Sequence, residues 1–158
     1  MRLYLIRHAE AVPRRPGLKE EARALTQKGE RQFRAVGKGL RNSGVRFDQL
    51  YFSPWLRAAA TAEFLTPLVH GNAQSTLLLA QSPTEGLLSL LTGDCVGVVG
   101  HQPWLGELLG WLVLEDLEAG SRFEFDKGGV AILTGRPRPG AMTLCELLGA
   151  DTLTRLNT

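Results

Sequence analysis

Few cysteines and no long apolar segment limit what this 158-residue chain can be. Its two cysteines, Cys95 and Cys145, have neither the spacing of metal ligands nor the density of a disulfide-bonded scaffold. We therefore predict that both are reduced residues on strands. The first apolar stretch ends at Arg7 after only a few residues, which is too short for a secretory signal or a membrane span. A cytoplasmic location without membrane association is the default expectation.

The chain also lacks a strong charge of either sign. Its 18 basic and 16 acidic residues give a net charge of +2, which is too small to predict nucleic acid binding on charge alone. The sequence contains no internal repeat and no low-complexity tract. With 44% hydrophobic residues, it predicts a single globular domain over residues 1–158 with a substantial core.

Short apolar strands alternate with amphipathic helices along the chain, as they do in βαβ units, and this pattern predicts an α/β fold. Residues 9–25 are polar and interrupted by Pro and Gly, which predicts a loop. The predicted strands are 3–6, 50–52, 95–99, 130–133 and 142–147. The predicted helices run from a Thr26 cap to near Gly44, from a Ser53 cap with Pro54 as first helical residue to about Leu65, over 84–91 and over 104–114.

Polar side chains follow three of these strands at the point where each strand ends. They are Arg7-His8-Ala9, Ser53-Pro54-Trp55-Leu56-Arg57 and Gly100-His101-Gln102-Pro103. Open α/β sheets bind ligands outside the carboxyl ends of their strands. We therefore expect two arginines and two histidines to converge on one edge of the sheet.

These residue types suit the transfer of a phosphoryl group. The planar guanidinium of arginine keeps its charge and matches the oxygens of a phosphoryl group, so we assign Arg7 and Arg57 to binding it. A neutral imidazole beside them can attack phosphorus, since nearby positive charge disfavours its protonation. One histidine then acts as nucleophile, and the other donates a hydrogen bond to the charge of the transition state. This chemistry needs no metal and no cofactor.

The motifs Arg-His-Ala, Ser-Pro-x-x-Arg and Gly-His-x-Pro, in this order and at strand ends, resemble the histidine phosphatase (phosphoglycerate mutase-like) superfamily over nearly the whole chain. The resemblance implies a three-layer α/β/α fold with a mostly parallel, doubly wound sheet. It also implies that His8 is the phosphorylated nucleophile and that Arg7, Arg57 and His101 form the phosphate pocket.

A further segment narrows the resemblance to one branch. Residues 23–29, Arg-Ala-Leu-Thr-Gln-Lys-Gly, are similar to the Arg-Pro-Leu-Thr-x-x-Gly segment of SixA-like phosphohistidine phosphatases, with Ala24 in place of proline. Only some thirty residues separate the Ser53 helix from the Cys95 strand, where larger members carry a helical lid. The resemblance therefore implies an open, lidless site with Arg23 among its substrate-binding residues.

One carboxylate has two possible roles. Members that act on phosphate esters use a carboxylic acid from the segment before the second histidine's strand, and Glu85 is the only acidic residue between Glu63 and Asp94. Glu85 either contacts substrate as a general acid or is a helix-start carboxylate favoured by the helix dipole. A phosphoramidate makes less demand on such an acid than an alkyl ester does.

Three functions stay open at this point. The first is a phosphohistidine phosphatase acting on a phosphorylated protein, for instance a histidine phosphotransfer domain. The second is a phosphomonoesterase for a sugar or nucleotide-like metabolite. The third is a non-catalytic phosphate-binding module, which is disfavoured because the chain retains both histidines and both arginines. A mutase is disfavoured as well, since it must enclose a bisphosphate.

Overall fold

A computed structural model describes residues 1–157, in which helices pack on both faces of a six-stranded sheet. The last residue of the predicted domain, Thr158, lies outside the described residues. The strands are β1 (Arg2–Arg7), β2 (Phe47–Phe52), β3 (Val69–Ser75), β4 (Cys95–Gly100), β5 (Val130–Gly135) and β6 (Met142–Leu148). The helices are α1 (Gln27–Asn42), α2 (Leu56–Glu63), α3 (Glu85–Leu90), α4 (Trp104–Leu114) and α5 (Ala150–Arg155).

The strands are ordered β3-β2-β4-β1-β5-β6 across the sheet. β3, β2, β4 and β1 run parallel to one another, whereas β5 pairs antiparallel with both β1 and β6. The α/β class predicted from the sequence pattern and the mostly parallel sheet implied by the family resemblance are therefore confirmed. The segment between α2 and β4 forms β3, α3 and two short 3₁₀ turns, so this crossover carries no inserted lid domain.

Two hydrophobic cores lie on opposite faces of the sheet, because successive side chains of a strand point to opposite sides. In β1, Tyr4 and Ile6 pack into the core formed with α1, α2 and α5. Leu3 and Leu5 pack into the other core, formed with α3 and α4. This arrangement is the three-layer, doubly wound architecture that the family resemblance implied.

Helix α1 begins as the sequence predicted. Thr26 is its N-cap, and the Thr26 hydroxyl accepts a hydrogen bond of 2.9 Å from the backbone N–H of Gly29. The helix ends at Asn42, and Gly44 takes a positive φ of 79° just after it, where a side chain would be strained. The loop before α1 and the start of this helix are thereby fixed beside the end of β1.

The predicted start of α2 is wrong by two residues. The helix begins at Leu56 with Trp55 as its N-cap, so neither Ser53 nor Pro54 belongs to it. Ser53 is fully buried, and its hydroxyl accepts a hydrogen bond of 3.2 Å from the N–H of Trp55. The chain thus makes a turn between β2 and α2, and the Ser53 hydroxyl is used within that turn and toward His101 instead of capping the helix.

Two elements were not predicted at all, namely β3 and α5. β3 is an edge strand whose residues are mostly exposed, and its sequence VHGNAQS has no apolar alternation. It also needs Gly71, because a Cβ there would overlap the backbone carbonyl of Asp48 on β2. α5 is a six-residue helix held mainly by Leu153, which is buried against α1. Neither element has a periodic pattern long enough to detect.

Both cysteines are free, with Cys95 on β4 and Cys145 on β6, as predicted. Within residues 1–157, no helix combines the length and the apolar composition that crossing a membrane requires.

Candidate active site

Three neighbouring strands bring both predicted histidines and the arginines Arg7 and Arg57 to one edge of the sheet. β1 and β4 are paired in parallel with Arg7 opposite Gly100, so the residues that follow them, His8 and His101, are adjacent. Their ring centroids are 5.2 Å apart. β2 lies on the other side of β4, and the turn after it leads to Arg57 near the start of α2. The carboxyl ends of these strands therefore form the candidate site.

Hydrogen bonding fixes which nitrogen of His8 carries a lone pair. Nδ1 lies 2.7 Å from the carbonyl oxygen of Ala9, which can only accept, so Nδ1 bears the proton. Nε2 is then unprotonated and accepts a hydrogen bond of 3.2 Å from Nε of Arg57. Burial is the main cause that lowers the pKa of His8 to about 4, and it outweighs the hydrogen bond to Ala9. The nearby arginines lower the pKa further, so Nε2 is unprotonated at neutral pH.

The hydrogen bonds of His101 identify its tautomer in the same way. Its Nε2 lies 2.7 Å from the hydroxyl of Ser53, which already accepts from the N–H of Trp55. Because the Ser53 hydroxyl has no other acceptor among residues 1–157, we assign its proton to the bond with Nε2 and the ring proton of His101 to Nδ1. That Nδ1 is buried without a partner among residues 1–157. Burial first, and then the charge of Arg57 and the neighbouring His8, lower the pKa of His101 to about 3. A neutral ring thus keeps one donor free.

The two predicted phosphate-binding arginines are held differently. Arg7 donates from Nη1 to the carbonyl of Phe125 at 2.6 Å, while its buried Nε has no partner within the described residues. Arg57 donates from Nη1 to the backbone carbonyl of Glu20 at 2.7 Å and from Nη2 to its carboxylate at 3.1 Å. Its guanidinium also lies 5.1 Å from the ring centre of Trp55. Arg57 is the more tightly fixed of the two.

Glu20 is part of this cluster, although sequence reasoning missed it. Its carboxylate accepts from Nη1 of Arg23 at 2.6 Å and from Nε of Arg14 at 3.0 Å, besides Arg57. Arg23 also donates from Nε to the carbonyl of Val12. Desolvation alone would raise the pKa of Glu20, but the arginines outweigh it and lower the pKa to about 2. The available signal was the three-residue spacing from Glu20 to Arg23, which one turn of 3₁₀ helix brings together.

The structure brings His8, Arg57, His101 and, through Glu20, Arg23 together, but not Glu85. Glu85 is the first residue of α3 and is exposed. Within the described part of the chain, its carboxylate contacts none of the two histidines or the arginines. Residues 1–157 contain no group of three or more His, Cys, Asp or Glu side chains arranged to hold a metal ion.

Two tryptophans cover one side of His101. The ring centre of Trp55 is 4.8 Å from that of His101, and Trp104 is 5.6 Å from Trp55 and 6.0 Å from His101. Together with the Glu20 segment, this packing leaves His8 only 6% and His101 only 1% exposed. The lidless site is therefore less open than the sequence implied, because local side chains cover the histidines.

The two buried histidines predict a loss of stability in mild acid. Their folded-state pKa values, about 4 and about 3, lie below the usual 6.5 of the unfolded chain. The unfolded chain therefore binds protons first as the pH falls below 6.5. The contribution of the two neutral histidines to the free energy of unfolding is fully present above that pH. It decreases as the pH falls, by about 2 kcal/mol for each histidine between pH 7.5 and pH 5.

Urea unfolding at these two pH values measures this loss. The parent is expected to lose about 4 kcal/mol and His101→Gln about half of that, since only one buried histidine then remains. A parent that is equally stable at both pH values would contradict the neutral, buried state of the two rings.

The sequence is similar to one known protein family and to one relative. The family model of the histidine phosphatase superfamily (branch 1) matches residues 3–76, which include Arg7, His8 and Arg57. An uncharacterized protein from Picosynechococcus sp. is 33% identical over 116 residues, covering 68% of this chain and 70% of the relative.

Solved structures share the fold over nearly the whole chain. A protein assigned as phosphohistidine phosphatase SixA from Agrobacterium tumefaciens is 25% identical with a TM-score of 0.77, covering 94% of this chain and 97% of the other. The protein histidine phosphatase SixA complexed with tungstate has 22% identity and a TM-score of 0.80, with coverages of 97% and 99%. A protein assigned as α-ribazole-5'-P phosphatase from Escherichia coli K-12 has 22% identity and a TM-score of 0.75, with coverages of 95% and 98%. Because the superfamily model matches the segment that contains Arg7, His8 and Arg57, the chain belongs to the histidine phosphatase superfamily.

Proposed function

We propose that this protein is a phosphatase that moves the phosphoryl group of its substrate to Nε2 of His8 and then to water, acting on phosphohistidine in a protein. The observation that carries the proposal is the state of His8. Its Nδ1 proton is held by the carbonyl of Ala9, so a lone pair on Nε2 stands next to Arg57. A neutral imidazole fixed in this way is prepared to attack phosphorus.

The first step forms a bond between Nε2 of His8 and phosphorus while the bond from phosphorus to the leaving group breaks. The phosphoryl oxygens would be bound by Arg57 and by two buried donors that have no partner among residues 1–157, Nε of Arg7 and Nδ1 of His101. Donors fixed in advance and shielded from water stabilise the charge that develops on these oxygens. Arg57 then exchanges its hydrogen bond to Nε2 for one to the phosphoryl group.

The second step returns the enzyme to its resting state. A water molecule attacks phosphorus of the phosphorylated His8, the bond from phosphorus to Nε2 breaks, and orthophosphate leaves. The donors that bound the phosphoryl oxygens in the first step act again here, since charge develops on the same atoms. Throughout the cycle, Ala9 keeps the proton on Nδ1, so that Nε2 regains its lone pair.

Two features support a phosphohistidine substrate. First, Glu85 is exposed and the described structure gives its carboxylate no contact with the site. A protonated phosphohistidine releases neutral imidazole and needs little help from an enzymic acid, unlike an alkyl phosphate. Second, no lid domain is inserted between α2 and β4, so a phosphohistidine on a protein surface can approach. Similarity to the Agrobacterium tumefaciens SixA protein favours the same substrate.

A metabolite phosphatase is the second candidate. The likeness to the Escherichia coli α-ribazole-5'-P phosphatase fold favours it, as do the buried histidines beneath Trp55, which suit a small ligand. In that case Glu85 would have to protonate the leaving alkoxide after a movement of α3.

Kinetics of Glu85→Gln with two classes of substrate distinguish these candidates. We expect the parent to prefer phosphohistidine to sugar phosphates in kcat/KM, and Glu85→Gln to change phosphohistidine hydrolysis by no more than about twofold. Any alkyl phosphate hydrolysis that depends on this carboxyl should fall by about a hundredfold, the usual effect of losing a general acid. Glu118→Gln, at another exposed carboxylate, is the matched control.

A strong preference for a sugar phosphate that disappears in Glu85→Gln would reverse the choice of substrate. If the parent hydrolyses neither class but binds orthophosphate, the non-catalytic module would be the correct function.

A further inference from the structure

The Glu20 carboxylate lies against Arg57, which the proposed function gives to the phosphoryl group, and against Arg23, which the family resemblance places among the substrate-binding residues. Its Oε1 is 2.6 Å from Nη1 of Arg23 and 3.1 Å from Nη2 of Arg57. A carboxylate oxygen between two guanidinium groups resembles one oxygen of a phosphoryl group bound by the same two residues. The anion position between Arg23 and Arg57 is therefore already filled by the protein.

The hydrogen bonds of Arg57 show that a ligand must compete with groups of the protein for this side chain. Each of its three guanidinium nitrogens has a protein acceptor: Nε meets His8, Nη1 meets the carbonyl of Glu20, and Nη2 meets the Glu20 carboxylate. Arg57 itself is only 4% exposed, so a ligand reaches it from one side. A phosphoryl group can bind Nη2 and Arg23 together only by replacing the carboxylate.

The surroundings of Glu20 allow such a replacement. The Glu20 side chain is 32% exposed, in contrast to the buried Arg57 beneath it, so the carboxylate can rotate outward. Its second oxygen, Oε2, is 3.0 Å from Nε of Arg14, whose side chain is 79% exposed. Arg14 can keep this partner when the carboxylate leaves the other two arginines. The displaced charge is then neither buried nor isolated.

We infer that Glu20 determines which anions enter the site: its carboxylate is the resting anion of the phosphoryl pocket, and a ligand binds by displacing it from Arg57 and Arg23. A tetrahedral dianion brings a second charge and a third oxygen, so its exchange for a carboxylate is favourable. A monoanion, such as a sulfonate or a phosphodiester, replaces one charge with an equal one and gains nothing. This inference rests on the proposed function, because it takes Arg57 as a phosphoryl-binding residue, and it adds Arg23 to the same pocket.

A positioning role for Glu20 would predict the opposite change in affinity, which makes the inference testable. If Glu20 instead positions the two arginines, its removal releases their side chains and weakens anion binding. A resting anion and a positioning residue therefore predict changes of opposite sign in affinity.

The test compares Glu20→Gln with Glu21→Gln, which removes the same charge from the next residue. Glu21 is exposed, and the salt bridges of Arg14, Arg23 and Arg57 in the described part of the chain are all made to Glu20. Calorimetric titration of the parent and both variants would use tungstate as the tetrahedral dianion and methanesulfonate as the monoanion. We expect Glu20→Gln to bind tungstate about tenfold more tightly than the parent, the effect of removing a competing charge worth about 1.4 kcal/mol. It should also bind methanesulfonate, which the parent and Glu21→Gln exclude.

Unchanged or weaker tungstate binding in Glu20→Gln would overturn the inference, provided that its circular dichroism spectrum and melting temperature match those of the parent. The proposed function is judged separately, by phosphohistidine hydrolysis in the parent. If the parent hydrolyses phosphohistidine and Glu20→Gln gains no affinity, only the inference fails. If the parent neither hydrolyses phosphohistidine nor binds tungstate, the proposed function fails and the inference fails with it.

Discussion

Replacement of His8 by alanine is expected to lower kcat/KM by about ten-thousandfold or more, because it removes the atom that forms the covalent intermediate. The remaining groups can still bind a phosphoryl group, since Arg57, Arg7 and His101 are unchanged. Water would then have to attack the bound substrate directly, without the fixed lone pair of Nε2. Steady-state hydrolysis of phosphohistidine by the purified variant measures this loss.

His70→Ala is the matched control, because His70 lies on the edge strand β3, is exposed, and pairs with Asp48 away from the site. It should hydrolyse phosphohistidine at the parent's rate. Near-normal turnover by His8→Ala would contradict covalent catalysis by this residue, and an unfolded His8→Ala would be detected by its circular dichroism spectrum.

Arg57→Lys is expected to reduce kcat/KM by about a hundredfold, which corresponds to about 3 kcal/mol of lost transition-state stabilisation. A lysine keeps the positive charge but not the planar arrangement of donors. Here the guanidinium contacts His8 through Nε and an anionic partner through Nη2, and one ammonium group cannot hold both positions. Affinity for tungstate should fall as well, because this anion imitates the phosphoryl group.

Arg31→Lys provides the control for this substitution, since Arg31 is exposed on α1 and far along the chain from the site residues of β1. It should leave both kinetics and tungstate binding as they are in the parent. Unchanged kinetics in Arg57→Lys would remove Arg57 from the phosphoryl pocket.

The central arrangement of the site could be predicted from the sequence because it depends on the sheet. Parallel strands end at the same edge, so apolar runs that stop at Arg7-His8 and Gly100-His101 predicted that the two histidines lie at one edge of the sheet. In the structure β1 pairs with β4, with Arg7 opposite Gly100, so the two histidines that follow these strands are adjacent. Helix α4, which begins at Trp104, was equally predictable from its length and apolar content.

Contacts that depend on the path of a loop could not be predicted. Glu20 meets Arg57 across 37 residues, and no periodic pattern links a polar loop to the start of a helix. Ser53 looked like a helix cap because Ser-Pro is a common helix start, but its hydroxyl is used by His101. Such polar partnerships follow from tertiary structure, as does the edge strand β3, whose pairing relies on a close approach at Gly71.

Trapping the phosphorylated enzyme tests the central claim most directly. Rapid quenching of the parent during turnover of ³²P-labelled phosphohistidine, followed by peptide mapping, should find an acid-labile, base-stable phosphoryl group on His8. His8→Ala should give none. A parent that turns over substrate without a phosphoenzyme at any quench time, or with the label on another residue, would contradict the account.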